Sequence, residues 1–273
     1  MKQRTVFFVS DRTGITAETL GHSLLTQFEG IRFKTVNLPF LDSFEKIKDA
    51  IIRINEVSRR SVDRPIVFST LVNPESREMI ASAEAVFFDF FGTFIGLLEQ
   101  ELRVQSSCTM GRSHGLVDNI AYGVRMDAVN FAMANDDGAV TRSYPRADVI
   151  ILGVSRSGKT PTCLYLSLQF GIYAANYPLT EEDLEKMRLP VAVAPYREKL
   201  YGLTIDPERL QKIRHERRPD SPYSSLRRCQ HETRRAESLF QAEGIPYLST
   251  TTLSVEEIAT TLLAKTGIER RSF

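Results

Sequence analysis

Cysteine is scarce in this chain of 273 residues: Cys108, Cys163 and Cys229 stand far apart, with no C-x-x-C pair and no histidine at ligand spacing. Their spacing suggests neither a disulfide framework nor a zinc site, and it fits a protein of a reducing, cytoplasmic setting. Long apolar runs are missing as well. No stretch approaches the roughly 18 apolar residues that cross a bilayer, so no membrane partner is expected. Lys2 and Arg4 precede only a short apolar stretch, too short for a signal-peptide core, and Met1 to Val9 reads as a first β-strand. A surplus of one charge is also absent: 35 basic and 34 acidic residues leave a net charge of +1. No global field then points to nucleic acid or to a membrane surface.

What is present is ordinary globular material. Apolar residues make up 42% and charged residues 25%, enough to build one large or two modest α/β domains without staples. Strand-like runs alternate with helical patterns: Thr5–Val9, Phe33–Leu38, Pro65–Ser69 and Ala85–Asp89, separated by helices that begin near Thr16, Ser43 and Pro74. Thr16 is the expected cap of the first helix. Such alternation predicts a mostly parallel sheet covered on both faces. Residues 104–118 are polar, contain Arg112 and His114, and read as a connecting loop. A helix over Asn119–Met133 follows, broken by Asn135-Asp136-Asp137-Gly138. A second α/β unit then starts at Asp148–Leu152, with further short strands at Tyr173–Tyr177, Leu203–Ile205 and Tyr247–Ser249. Ser254 and Glu257 form a capping box for a final helix. No internal repeat is visible. The expected architecture is an N-terminal parallel-sheet α/β domain over residues 1–146, followed by a P-loop-containing α/β domain over residues 147–273.

The second domain carries the strongest chemical signal. Gly153, Val154, Ser155, Arg156, Ser157, Gly158, Lys159 and Thr160 satisfy G-x-x-x-x-G-K-[ST] without a gap, after an apolar strand and before an amphipathic helix. In such a loop successive N–H groups converge on phosphate oxygens, and the helix start adds its positive end. Lys159 is the mobile charge for the terminal phosphates. The Thr160 hydroxyl is a candidate ligand for Mg²⁺. Arg156 either adds a second cation there or points to solvent. No apolar run ends in a clear Walker-B aspartate; Asp206 is the nearest metal-ligand candidate, although Asp before Pro is also a common turn residue. Asp136 and Asp137 could hold a metal or take a proton from a hydroxyl nucleophile; on spacing alone, a helix-ending turn is the better reading.

Two other segments stand out. Ser10–Glu18 joins strand to helix at the carboxyl end of the first strand, where open α/β sheets place ligands. It fits an anion site or a plain βα loop equally well. Between Arg209 and Arg235 nine Lys or Arg face only Glu216, Asp220 and Glu232. The default reading of that run is a solvated helix face, and the sharper one is a docking surface for an acidic macromolecule or phosphate groups.

Taken together, Ala147–Thr162, Ala174-Ala-Asn-Tyr-Pro178, Leu203-Thr-Ile-Asp-Pro-Glu-Arg209 and Ser10–Glu18 resemble the bacterial phosphoenolpyruvate synthase regulatory proteins. These are relatives of the plant pyruvate, phosphate dikinase regulatory proteins. The resemblance runs nearly end to end. It implies a bifunctional enzyme of the serine/threonine protein kinase type. One activity phosphorylates a threonine of phosphoenolpyruvate synthase with ADP as donor, inactivating it. The other removes that phosphate with inorganic phosphate, releases pyrophosphate and restores the target. The resemblance puts the nucleotide on Gly153–Thr160 and raises Asp136 and Asp137 as functional carboxylates. The family's acidic stretch is usually His-Asp-Asp-Gly, and here Asn135 stands in place of the histidine. A homodimer is one assembly compatible with this reading. A small-molecule P-loop kinase or a nucleotide-sensing module would explain the loop but not the full-length match.

Overall fold

The computed structural model describes residues 2–107 and 119–271; the predicted loop residues Arg112 and His114 lie outside these. The chain forms two compact units, Met1–Val117 and Asp118–Phe273. The first runs β1 (Lys2–Val9), α1 (Ile15–Leu25), β2 (Ile31–Leu38), α2 (Phe44–Arg60), β3 (Ile66–Ser69), α3 (Pro74–Ala81), β4 (Val86–Asp89) and α4 (Phe90–Leu102). All its strands pair in parallel, in the order β2-β1-β3-β4. One apolar layer, around Phe7, Val9, Ile47, Ile54 and Ile80, lies under α2 and α3; the other, around Val6, Phe8, Ala17 and Phe68, lies under α1. Alternation of β1 side chains between the two layers is the period-2 pattern of a strand buried on both faces.

The second unit contains α5 (Asn119–Ala134), β5 (Val149–Gly153), α6 (Lys159–Phe170), β6 (Ala174–Pro178), α7 (Glu181–Lys186), β7 (Leu200–Thr204), α8 (Pro207–Arg217), α9 (Leu226–Ala242), β8 (Tyr247–Ser249) and α10 (Val255–Thr266). Its sheet is again parallel, in the order β6-β5-β7-β8. Each unit thus places its first strand second from one edge, with the next two strands on opposite sides of it. That shared order is a repeat of topology which the sequence does not display. Every residue of β5 and β7 is buried, as expected for central strands of a covered parallel sheet.

Three local expectations change. The sequence pattern puts a helix over Asn119–Met133 in the first domain, ahead of a boundary at 146; it forms as α5. Its Phe131 and Ala132 are buried in the two apolar layers of the second sheet, and α5 packs along α6 and β6. The division therefore precedes it. Thr16 lies inside α1, whose cap is Gly14 with φ +80° and no side-chain hydrogen bond. Strand β7 begins three residues earlier than its apolar run suggests, because Gly202 sits mid-strand under the Phe240 ring: a Cβ there would lie 2.7 Å from Phe240 Cε2. Ser254 caps α10 with Glu257 as a full capping box. Cys163 and Cys229 are free, buried thiols. Among the described residues no helix is long and apolar enough to cross a membrane.

Candidate active site

The Gly153–Thr160 loop leaves the carboxyl end of β5, beside β7, where the strand order reverses direction. Open α/β sheets bind ligands at this crevice. Gly153 has no room for a side chain: a Cβ would come within 2.5 Å of the Leu203 carbonyl oxygen and 2.6 Å of Ser157 Oγ. Gly158 adopts φ +92° and is the N-cap of α6, which has no side-chain cap. The first-turn N–H groups are thus left without a side-chain acceptor, and the helix end carries its partial positive charge. Pro161 fits this first turn, where its missing N–H costs no intrahelical bond. From the far side Thr250 Oγ1 donates to the Ser157 carbonyl, pinning the loop against the β8–α10 connection.

Over the loop opens a cleft of about 230 Å³ lined by Asp137, Ser155, Arg156, Gly158, Lys159, Thr160, Pro161, Ile213 and Arg217. Lys159 is only 4% exposed, and its Nζ donates to the Val154 carbonyl at 3.0 Å. Burial pushes its pKa down to about 8, against the pull of the Asp137 and Asp136 carboxylates. Arg156 lines the cleft and holds φ +74°, a left-handed conformation unfavourable for a side chain with a Cβ.

The acidic pair reaches this site by folding back. Asn135 ends α5, and Asp137 (φ +49°) and Gly138 (φ +71°) turn the chain through left-handed conformations. Asp136 Oδ1 then accepts from Thr160 Oγ1 at 2.8 Å and from Asn176 Nδ2 at 2.6 Å. Asn176, fully buried on β6, also accepts at its Oδ1 from the Asp137 backbone N–H at 3.0 Å. One amide side chain therefore fixes both acidic positions. Asp136 is bound to the loop threonine, whereas Asp137 lines the cleft. The sequence points to the pair but not to Asn176; its only trace there is its place in the Ala174–Pro178 block.

The remaining candidates divide. Asp206 caps α8, its Oδ1 accepting from Glu208 N and Arg209 N at 3.0 Å each, and it is not among the residues lining the cleft. The Ser10–Glu18 loop belongs to the first unit and has Ile15 after its capping Gly14 where the other loop has Lys159 after Gly158. No group of three or more His, Cys, Asp or Glu able to hold a metal is found among the described residues. Mg²⁺ characteristically keeps waters and takes phosphate oxygens with one or two protein groups; Thr160, Asp136 and Asp137 are the groups at hand.

The basic run is exposed at Arg209, Lys212, Arg217, Arg218, Arg227 and Arg234, as a solvated face is, but it also contains a wholly buried guanidinium: Arg214 is 0% exposed. Its Nη2 donates to Glu232 Oε2 at 2.6 Å and to the Ser155 carbonyl at 3.0 Å, and its Nη1 donates to the Tyr223 carbonyl. Arg228 bridges Glu232 and Glu181, Arg235 donates to the carbonyls of Leu184 and Glu185, and Arg217 lines the cleft. Several of these charges are thus committed within the unit.

A family model described as kinase/pyrophosphorylase matches residues 6–263. The chain is 58% identical over 271 residues to a protein of Alkalilimnicola ehrlichii whose name describes it as a candidate phosphoenolpyruvate synthase regulatory protein. That match covers 99% of this chain and 98% of the relative. Relatives with the same name occur in Marinobacter nauticus, at 55% identity over 98% of this chain and 99% of the relative, and in Hahella chejuensis, at 53% over 98% of each.

Proposed function

The chain belongs to the kinase/pyrophosphorylase family, and from that premise we propose that it regulates phosphoenolpyruvate synthase by reversible phosphorylation of a threonine, with ADP as donor. The target is taken from the relatives' names. The observation that carries the chemistry is a cleft that Asp137 shares with Lys159 and Thr160, with Asp136 holding the Thr160 hydroxyl from beside it. Phosphoryl transfer demands positioning and charge neutralisation more than covalent help from the protein.

In the inactivating direction the nucleotide's phosphates lie on the Gly153–Thr160 loop, held by its N–H groups, the α6 start and Lys159. The target threonine hydroxyl attacks the β-phosphorus of ADP and passes its proton to a carboxylate, and the bond to AMP breaks. We assign that proton to Asp137, because Asp136 Oδ1 is already held by Thr160 and Asn176. Asp136 keeps the Thr160 hydroxyl oriented. Magnesium, when bound beside Thr160 and these carboxylates, supplies charge neutralisation of the phosphate oxygens.

In the restoring direction an oxygen of inorganic phosphate attacks the phosphothreonine phosphorus. The threonine oxygen leaves and takes up a proton, and pyrophosphate forms. Two anions must then meet in one cleft, and Arg156 and Arg217 at its wall are suited to offset their charge. Incubation with phosphoenolpyruvate synthase and either β-labelled ADP or γ-labelled ATP tests the donor. Label is expected on a target threonine from ADP; label from ATP alone, or from neither, contradicts the proposal.

A further inference from the structure

A phosphate loop binds anions only if its peptide N–H groups face inward, which turns the matching carbonyls outward into protein. An outward carbonyl buried there requires a donor. At the Ser155–Arg156 peptide that donor is Arg214. Both Nε, at 3.3 Å, and Nη2, at 3.0 Å, donate to the Ser155 carbonyl. In a trans peptide the N–H lies opposite the carbonyl, so this grip holds the Arg156 N–H on the side away from Arg214. The same residue carries the left-handed φ of +74°, a conformation that persists only where surroundings impose it.

The grip is itself braced. The guanidinium lies 4.3 Å from the centre of the Tyr223 ring, and the Tyr223 hydroxyl meets Ser155 Oγ at 2.8 Å. Ser155 is therefore held at both its carbonyl and its side chain by one Arg–Tyr pair. Glu232 neutralises Arg214 from α9, and Arg228 ties Glu232 in turn to Glu181. Taking a charge out of water is costly, and removing one member of such a group leaves the others buried without their partner.

We propose that Arg214, supported by Tyr223 and Glu232, is a positioning residue that sets the Ser155–Arg156 peptide for phosphate binding. The proposal rests on the loop holding phosphates, as argued above. Lysine at this position keeps the charge but cannot reach one carbonyl with two N–H groups while stacking on a ring.

The test titrates ADP and, separately, inorganic pyrophosphate into the unchanged full chain and into Arg214→Lys and Tyr223→Phe, with thermal melts and steady-state kinetics for each. Arg214→Lys is expected to weaken ADP and pyrophosphate about ten-fold or more, the scale of a lost charged hydrogen bond. The KM for ADP should rise in step and kcat should change less. Tyr223→Phe, which removes only the hydroxyl bond, should weaken both ligands a few-fold with an unchanged melting temperature. Unchanged affinity in the folded fraction of both variants, with loss confined to melting temperature and apparent kcat, would leave Arg214 a purely structural brace and overturn the inference alone. Failure of the unchanged chain to bind either ligand overturns the phosphate-loop reading and this inference together.

Discussion

Thr160 Oγ1 donates to Asp136 Oδ1 at 2.8 Å, joining residues 24 positions apart. The loop that would hold phosphates thus receives its carboxylate from the turn after α5 rather than from the end of a neighbouring strand. Asp137, one residue on, lines the cleft while Asp136 is tied down, so the two acids are not equivalent.

That inequivalence predicts different kinetic signatures. Asp137→Asn should lower kcat for threonine phosphorylation by about 100-fold or more, the usual weight of a general base, with ADP affinity little changed. Asp136→Asn should instead weaken magnesium-dependent ADP binding, because the Thr160 hydroxyl loses a charged acceptor. Titration of ADP with and without Mg²⁺, beside single-turnover transfer, separates the two.

Lys159 sets a pH dependence. Its pKa in the folded chain is about 8 against an ordinary value of 10.5. Below 8 the buried ammonium is charged and grips phosphate, and above 8 it is increasingly neutral. ADP affinity should therefore fall as pH rises through about 8 and stay flat in Lys159→Arg, which remains charged. Stability moves the other way: the unfolded chain binds more protons between 8 and 10.5, so this group's contribution rises with pH across that window. Chemical denaturation of the wild type and Lys159→Met at pH 7 and 9.5 measures it.

Gly153 and Gly96 should respond oppositely to alanine. A methyl at Gly153 meets the Leu203 carbonyl oxygen at 2.5 Å, whereas one at Gly96 in α4 meets nothing within 4 Å. Gly153→Ala should cost roughly 1–3 kcal/mol through forced backbone shifts, lower the melting temperature by several degrees and abolish ADP binding. Gly96→Ala should gain up to about 1 kcal/mol from helix propensity and leave binding alone.

Asn176 is the amide that serves both acids. Asn176→Leu should leave the Asp137 N–H without its acceptor and take from Asp136 Oδ1 one of its two donors, the other being Thr160, costing roughly 2–3 kcal/mol. Asn176→Asp would replace the amide donor beside Asp136 with a second carboxylate, so the variant should melt below wild type at neutral pH. Melting curves at pH 7.5 read this directly.

The buried strands and the Gly153–Thr160 loop were legible because each is a continuous local pattern: an apolar run, then glycines and a lysine at fixed spacing. The Ser254–Glu257 capping box was legible for the same reason. What escaped depended on distant partners. Asp137 reaches the cleft only through left-handed turns at 137 and 138, and spacing alone favoured an ordinary helix end. Arg214 looked like one charge among nine, yet its burial depends on Glu232 and Tyr223 from other elements. Gly202 interrupted the β7 pattern because the space its side chain would fill belongs to Phe240.

The most direct test of the central claim, that one phosphate loop serves both directions, follows a single label. Phosphoenolpyruvate synthase is first phosphorylated with β-labelled ADP by wild-type protein, then purified and mixed with inorganic phosphate and either wild type or Lys159→Ala. The label should leave the threonine as pyrophosphate with wild type and stay on the target with Lys159→Ala, which should also fail in the forward reaction. Pyrophosphate release by Lys159→Ala at the wild-type rate would contradict the account, since it would place the reverse chemistry at a separate site.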